Sequence, residues 1–120
     1  MIRKARLLIL AVGLIAATVS SPIASGQEAP QRIEITAKRF NFTPGEITVK
    51  KGQSVVLVLK SMDVEHGLNI QDLGVDMKVK AGKTAQVTFT PDKTGDFVGH
   101  CTQFCGPGHG SMMIVVHVVA

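Results

Sequence analysis

The chain has 120 residues, 13 Lys and Arg against 9 Asp and Glu, and only 4% aromatic side chains, with no Trp and no Tyr. That length allows one domain, and much of the formal charge of +4 comes from Arg3, Lys4 and Arg6 at the N-terminus. No basic cluster interleaved with aromatics is present, so nucleic acid is not an expected partner.

Behind the basic start, Leu7 to Val19 form an apolar run of thirteen residues broken only by Gly13 and Thr18, and small residues follow at Ala24 and Gly26. This is the order of a secretory signal peptide, and the run is short beside the roughly 20 residues of a membrane span. Residues 1–26 are therefore expected to be a signal peptide, with an uncleaved anchor as the alternative and membrane association only in that case. Residues 27–120 are expected to form the domain, located in the periplasm or an equivalent extracytoplasmic space. Those 94 residues carry ten basic and nine acidic side chains, a net charge of +1. A domain of this size has a limited core, which metal or disulfide support would strengthen.

After a polar lead-in, Ile33, Ile35 and Ala37 alternate with polar residues, the period-two pattern of a strand with one face in a core. Phe40 and Phe42 extend the pattern, Pro44-Gly45 marks a turn, and Ile47 and Val49 give a second short strand. Lys50-Lys51-Gly52 turns the chain into Ser54–Leu59, whose apolar, β-branched run predicts a central strand buried on both sides. Ser61–Gly67 is polar and holds His66. Leu68–Ile70 is apolar again, and Leu73-Gly74-Val75 is expected to begin a loop. Ala81-Gly82 leads into a strand with Ala85, Val87 and Phe89 on one face. Phe97–Cys101 and Met113–Val119 read as the last two strands. No helical period exceeds about one turn. Short strands with turn signals every eight to twelve residues predict an all-β, antiparallel sandwich.

Between the last two strands lies CTQFCGPGHGSM, Cys101 to Met112, which places two thiols, an imidazole and a thioether in twelve residues. Soft sulfur with imidazole suits copper or zinc far better than magnesium or calcium. A Cys101–Cys105 disulfide would close a very short loop, gaining little entropy and inviting strain. Helical spacing would align Cys101, Cys105 and His109, but Gly106-Pro107-Gly108 and Gly110 oppose a helix, so a loop must wrap the metal. His66, at the end of a polar loop, is the natural additional ligand. Cys101, Cys105, His109 and His66 would make a tetrahedral zinc site but leave Met112 idle. A single blue-copper ion leaves one thiol unexplained. Two coppers bridged by both thiolates use every donor.

The pattern C-x3-C-x3-H-x2-M, with His66 upstream in Asp63-Val64-Glu65-His66, resembles the CuA domain of cytochrome c oxidase subunit II and nitrous oxide reductase. Leu73-Gly74-Val75-Asp76-Met77 and Ala81-Gly82 extend the likeness over essentially the whole of residues 27–120. The resemblance implies a cupredoxin-like Greek-key β-sandwich holding two copper ions. Cys101 and Cys105 would bridge them, His66 and His109 would be terminal ligands, Met112 a weak ligand to one copper and the Gln103 carbonyl a weak ligand to the other. It also implies one-electron transfer with a redox partner such as a cytochrome c or a terminal oxidase or reductase, and no substrate turnover by the domain itself. Gln103 stands where the oxidase subunit normally carries an acidic residue, and the aromatic used for electron transfer into that domain, usually Trp, has no Trp counterpart. The expectation is thus a stand-alone CuA-type carrier; copper delivery to another protein is the alternative function, and a zinc- or disulfide-stabilised module a third. Phe104, Pro107 and Met113 are expected around the metal, Met113 as core, with His100 and His117 as structural or surface residues. The outer nitrogen of each liganding histidine is expected to meet solvent or a backbone carbonyl.

Overall fold

The computed structural model describes residues 29–120 together with Gly13 and Ile15; the rest of the expected signal peptide lies outside the described residues. Nine strands follow in order: β1 (Gln31–Lys38), β2 (Asn41–Thr43), β3 (Glu46–Lys50), β4 (Val55–Ser61), β5 (His66–Ile70), β6 (Val75–Val79), β7 (Thr84–Phe89), β8 (Gly95–His100) and β9 (Met113–Val119). They form a four-stranded sheet, β2-β1-β4-β7, and a five-stranded sheet, β3-β9-β8-β5-β6. Among the described residues no helix is long and apolar enough to cross a membrane.

The two sheets face each other as an all-β sandwich of the Greek-key kind, with the alternating residues of each strand turned inward. Ile35 and Ala37 of β1, Val55, Leu57 and Leu59 of β4, Leu68 and Ile70 of β5, and Ile114 and Val116 of β9 are all essentially inaccessible. Each of these Val, Leu and Ile side chains contributes about 1.5–3 kcal/mol through removal from water, so this face sets the register: a slip by one residue would expose it.

Two expectations are corrected. The sheets are mixed rather than antiparallel, because β1 runs parallel to β4 and β3 parallel to β9. The cause is topological: the chain leaves β1 and β2 for the other sheet at β3 before returning as β4, so tight-hairpin pairing does not apply to that pair. The segment after Gly74 is a strand, not a loop. Val75, Met77 and Val79 are buried while Asp76 and Lys78 are exposed, and β6 pairs antiparallel with β5.

β4 lies between β1 and β7, as its apolar composition predicts. At one end of the sandwich, β5 begins, β8 ends and β9 begins. The loop Cys101–Met112 closes that end.

Candidate metal centre

Local backbone chemistry delivers the buried imidazole. Ser61, 1% exposed, donates its hydroxyl to the Val64 carbonyl and accepts the Asp63 amide at 3.3 Å. The resulting turn ends in β5, where His66 pairs with Val79 of β6. His66 is 0% exposed, and its orientation is fixed from both sides. Nε2 meets the Asp63 carboxylate at 2.7 Å, and Nδ1 faces Cys101 Sγ at 3.8 Å. The outer nitrogen therefore meets a carboxylate, not solvent or a carbonyl.

The Cys101–Met112 loop is tied across its base by the Cys101 amide, which donates to the Met112 carbonyl at 3.2 Å. Its interior is irregular, as the glycines and Pro107 predict, with only a 3-10 turn at His109–Ser111. Cys101, Cys105 and Met112 are nonetheless buried to 5%, 4% and 1% exposure. The Thr102 amide reaches the Gly67 carbonyl at 3.4 Å, and a Cβ on Gly67 would collide with the Thr102 hydroxyl. Glycine beside His66 is what lets the two ligand-bearing segments approach.

The sulfurs form a connected set. Cys101 Sγ and Cys105 Sγ are 4.0 Å apart and are free thiols. Cys105 Sγ lies 3.7 Å from His109 Nδ1 and 3.8 Å from Met112 Sδ. The Cys101 thiol points to the Gln103 carbonyl at 3.3 Å. A metal bound by thiolate at about 2.3 Å and imidazole at about 2.0 Å sets adjacent donors roughly 3.5–3.8 Å apart, so these separations suit donors around shared metal. His66, Cys101 and Cys105 offer atoms within 4.8 Å of one another; His109 is not in that group. His66 Nδ1 thus lies beside Cys101 Sγ and His109 Nδ1 beside Cys105 Sγ.

Electrostatics also fit a cation. Burial pushes the Cys105 thiol up to about 11, and the charge of Cys101 adds to this. Without metal, a second thiolate here is strongly disfavoured; a bound cation removes that penalty and displaces the proton. Burial likewise pushes Asp63 up, but the amides of Arg39 and Val64 and the His66 ring overcome it and hold the carboxyl at about 2.

All six expected site residues therefore gather at one end of the sandwich. Three residues expected around them are exposed rather than packed over the donors. Phe104 is 81% exposed and Met113 45%, while Pro107 is also exposed. Strand alternation explains Met113: Met112 takes the inward direction, so its neighbour faces out. Phe104 lies against the His109 ring instead, centroids 5.8 Å apart. His100 is exposed on the outer face, opposite Met113. Sequence reasoning did not single out Asp63, Arg39 or Phe40 as structural support for the loop; Asp63, three residues before His66, was the one with a readable signal.

The chain is 30% identical over 80 residues to cytochrome c oxidase subunit 2 of Thermus thermophilus, covering 67% of this chain and 59% of that one. It is 37% identical over 84 residues to nitrous-oxide reductase of Cupriavidus necator, covering 67% of this chain but 13% of the reductase. The chain thus spans little more than half of the first relative and a small part of the second. The periplasmic domain of subunit II of the cytochrome oxidase of Bradyrhizobium japonicum superposes with a TM-score of 0.69 at 23% identity, covering 77% of this chain and 86% of that one; this likeness bears on the fold. A family model described as "Cupredoxin-like domain" matches residues 7–115, and the chain belongs to the cupredoxin-like domain family.

Proposed function

We propose that this domain is an electron carrier holding a binuclear copper centre of the CuA type. Cys101 and Cys105 would bridge the two coppers, His66 and His109 would each cap one, and Met112 and the Gln103 carbonyl would be weak outer ligands. The observation that carries the reading is the pairing of each imidazole with a separate sulfur, 3.8 Å for His66–Cys101 and 3.7 Å for His109–Cys105, around two thiols 4.0 Å apart. When bound, such a pair supplies reversible one-electron chemistry with the charge change spread over two ions.

The chain's own part is to hold the donors still and dry. His66 is clamped by Asp63 on the far side of its ring at 2.7 Å, which fixes its orientation toward the sulfurs. Buried thiols exclude water, and the strands on either side limit ligand motion, so little reorganisation accompanies transfer. The exposed Phe104 ring against His109 offers an apolar approach for a redox partner, proposed to be a cytochrome c or a terminal oxidase or reductase. Residues 1–26 would act as the signal peptide, residues 27–120 as the domain, and the working location would be the periplasm or its equivalent.

One observation favours copper delivery as a second reading: Met62, just ahead of the His66 turn, is 58% exposed and offers a soft donor at the surface. Titration of the reduced protein with copper, followed by reduction and reoxidation, separates the two. The carrier reading requires two ions per chain that survive redox cycling. Uptake of a single ion, or loss of copper to a chelator on reduction, would reject it.

A further inference from the structure

The turn joining β1 to β2, Arg39-Phe40, is remote in sequence from the metal loop yet lies directly on it. Arg39 Nε donates to the Cys105 carbonyl at 2.8 Å. The Arg39 amide donates to Asp63 Oδ2 at 2.8 Å, while Oδ1 of the same carboxylate meets His66 Nε2 at 2.7 Å. The Phe40 ring lies against the other side of the loop: a Cβ on Gly108 would fall 2.5 Å from its Cγ, and one on Gly106 2.8 Å from its Cε1. Gly106 also has φ +139, a conformation that side chains disfavour. The glycines that break helical spacing in this loop therefore make a seat for an aromatic ring.

We infer that the Arg39-Phe40 turn is a strap across the metal loop, with Arg39 the positioning residue for Cys105. A continuous line of contacts, Cys105–Arg39–Asp63–His66, links the two halves of the donor set through a segment that supplies no ligand itself. The Gln103–Gly108 stretch has little regular pairing of its own, so the Arg39 bond and the Phe40 ring define where Cys105 sits. The guanidinium suits the task because its donors are rigidly placed, whereas a lysine ammonium would reach the same carbonyl on a flexible stem. The inference rests on the reading of Cys105 as a copper ligand only for its functional consequence; the strap itself has a metal-free test.

In the metal-free protein, alkylation of each thiol by iodoacetamide is followed by mass spectrometry in wild type, Arg39→Gln, Arg39→Lys and the surface control Arg32→Gln. Arg39→Gln is expected to speed reaction at Cys105 about tenfold, the factor one charge-assisted hydrogen bond supplies. Cys101 should change little, the melting temperature should fall by only several degrees below the control, as one lost hydrogen bond requires, and Arg39→Lys should fall between. Equal acceleration at both thiols, or none at either, overturns the strap. In the copper-loaded protein, Arg39→Gln is expected to release copper to a Cu(I) chelator about tenfold faster; release at the wild-type rate overturns Arg39 as a positioning residue. If the wild type takes up no copper while Cys105-selective protection is present, the copper reading fails and the strap stands.

Discussion

Two histidine–aspartate pairs in this domain have nearly the same geometry and opposite settings. His66 meets Asp63 at 2.7 Å at the metal end, and His117 meets Asp96 at 2.6 Å on the outer face of the five-stranded sheet. The His66 side chain is 0% exposed and continues to Cys101 on its other nitrogen, whereas His117 is 34% exposed and reaches Glu46 at 3.7 Å. At His117 the Asp96 hydrogen bond, with help from the charges of Asp96 and Glu46, raises the pKa against the opposing effect of burial. At Asp63 it is the carboxyl that is held low. Solvent on the outer face screens the same contact that, at the rim, orients a buried ring. Pair geometry alone therefore does not identify a functional histidine; burial and the second nitrogen do.

The contrast can be broken at several points. Replacing Cys105 with Ser should have the largest effect, removing the two-copper visible spectrum altogether; a spectrum unchanged from wild type would mean Cys105 is not a shared ligand. His66→Ala should follow, losing copper and also destabilising the metal-free fold by about 3 kcal/mol through a cavity and the lost hydrogen bond to Asp63, while His117→Ala shifts denaturant unfolding only slightly. Asp63→Asn should destabilise the metal-free protein by about 1–2 kcal/mol near neutrality, allowing for solvent screening of a part-exposed carboxylate. A folded carboxyl at about 2 against an ordinary 3.8 contributes stability above 3.8 that is lost as pH falls toward 2. The gap between wild type and Asp63→Asn should close over that interval in acid-denaturation curves. The smallest effect belongs to His117→Gln. Because the folded pKa of His117 is raised, its contribution is full below about 6.5 and disappears as pH rises through the higher folded value; urea midpoints measured across that range should converge at the alkaline end.

Much of the metal end was legible because its chemistry is local. The residues from Cys101 to Met112 carry most of the candidate donors in one loop, and glycines and proline there forbid a helix, so the burial of these side chains at one end and the loop character could be read together. The inward direction of Ile35, Leu57 and Ile114 likewise follows from period two. Long-range consequences of the fold were less accessible. Parallel pairing of β1 with β4 arises from a crossover between sheets, which no strand records in its own residues. The strand Val75–Val79 was obscured because Gly74 reads as the start of a loop, although the alternation after it is regular. Arg39 and Phe40 look like an ordinary continuation of β1, and only the fold brings them against Cys105, Gly106 and Gly108. Alternation gives Met113 the direction opposite to Met112, but which of the two directions is the core is set by the facing sheet: Met112 is buried and Met113 exposed.

The central claim is that the two thiols are shared between two coppers, and electron paramagnetic resonance of the copper-loaded protein tests it most directly. One unpaired electron delocalised over two equivalent copper nuclei, with the hyperfine pattern that both nuclei together impose, is the predicted result. A hyperfine pattern from a single copper nucleus in fully loaded protein would contradict it.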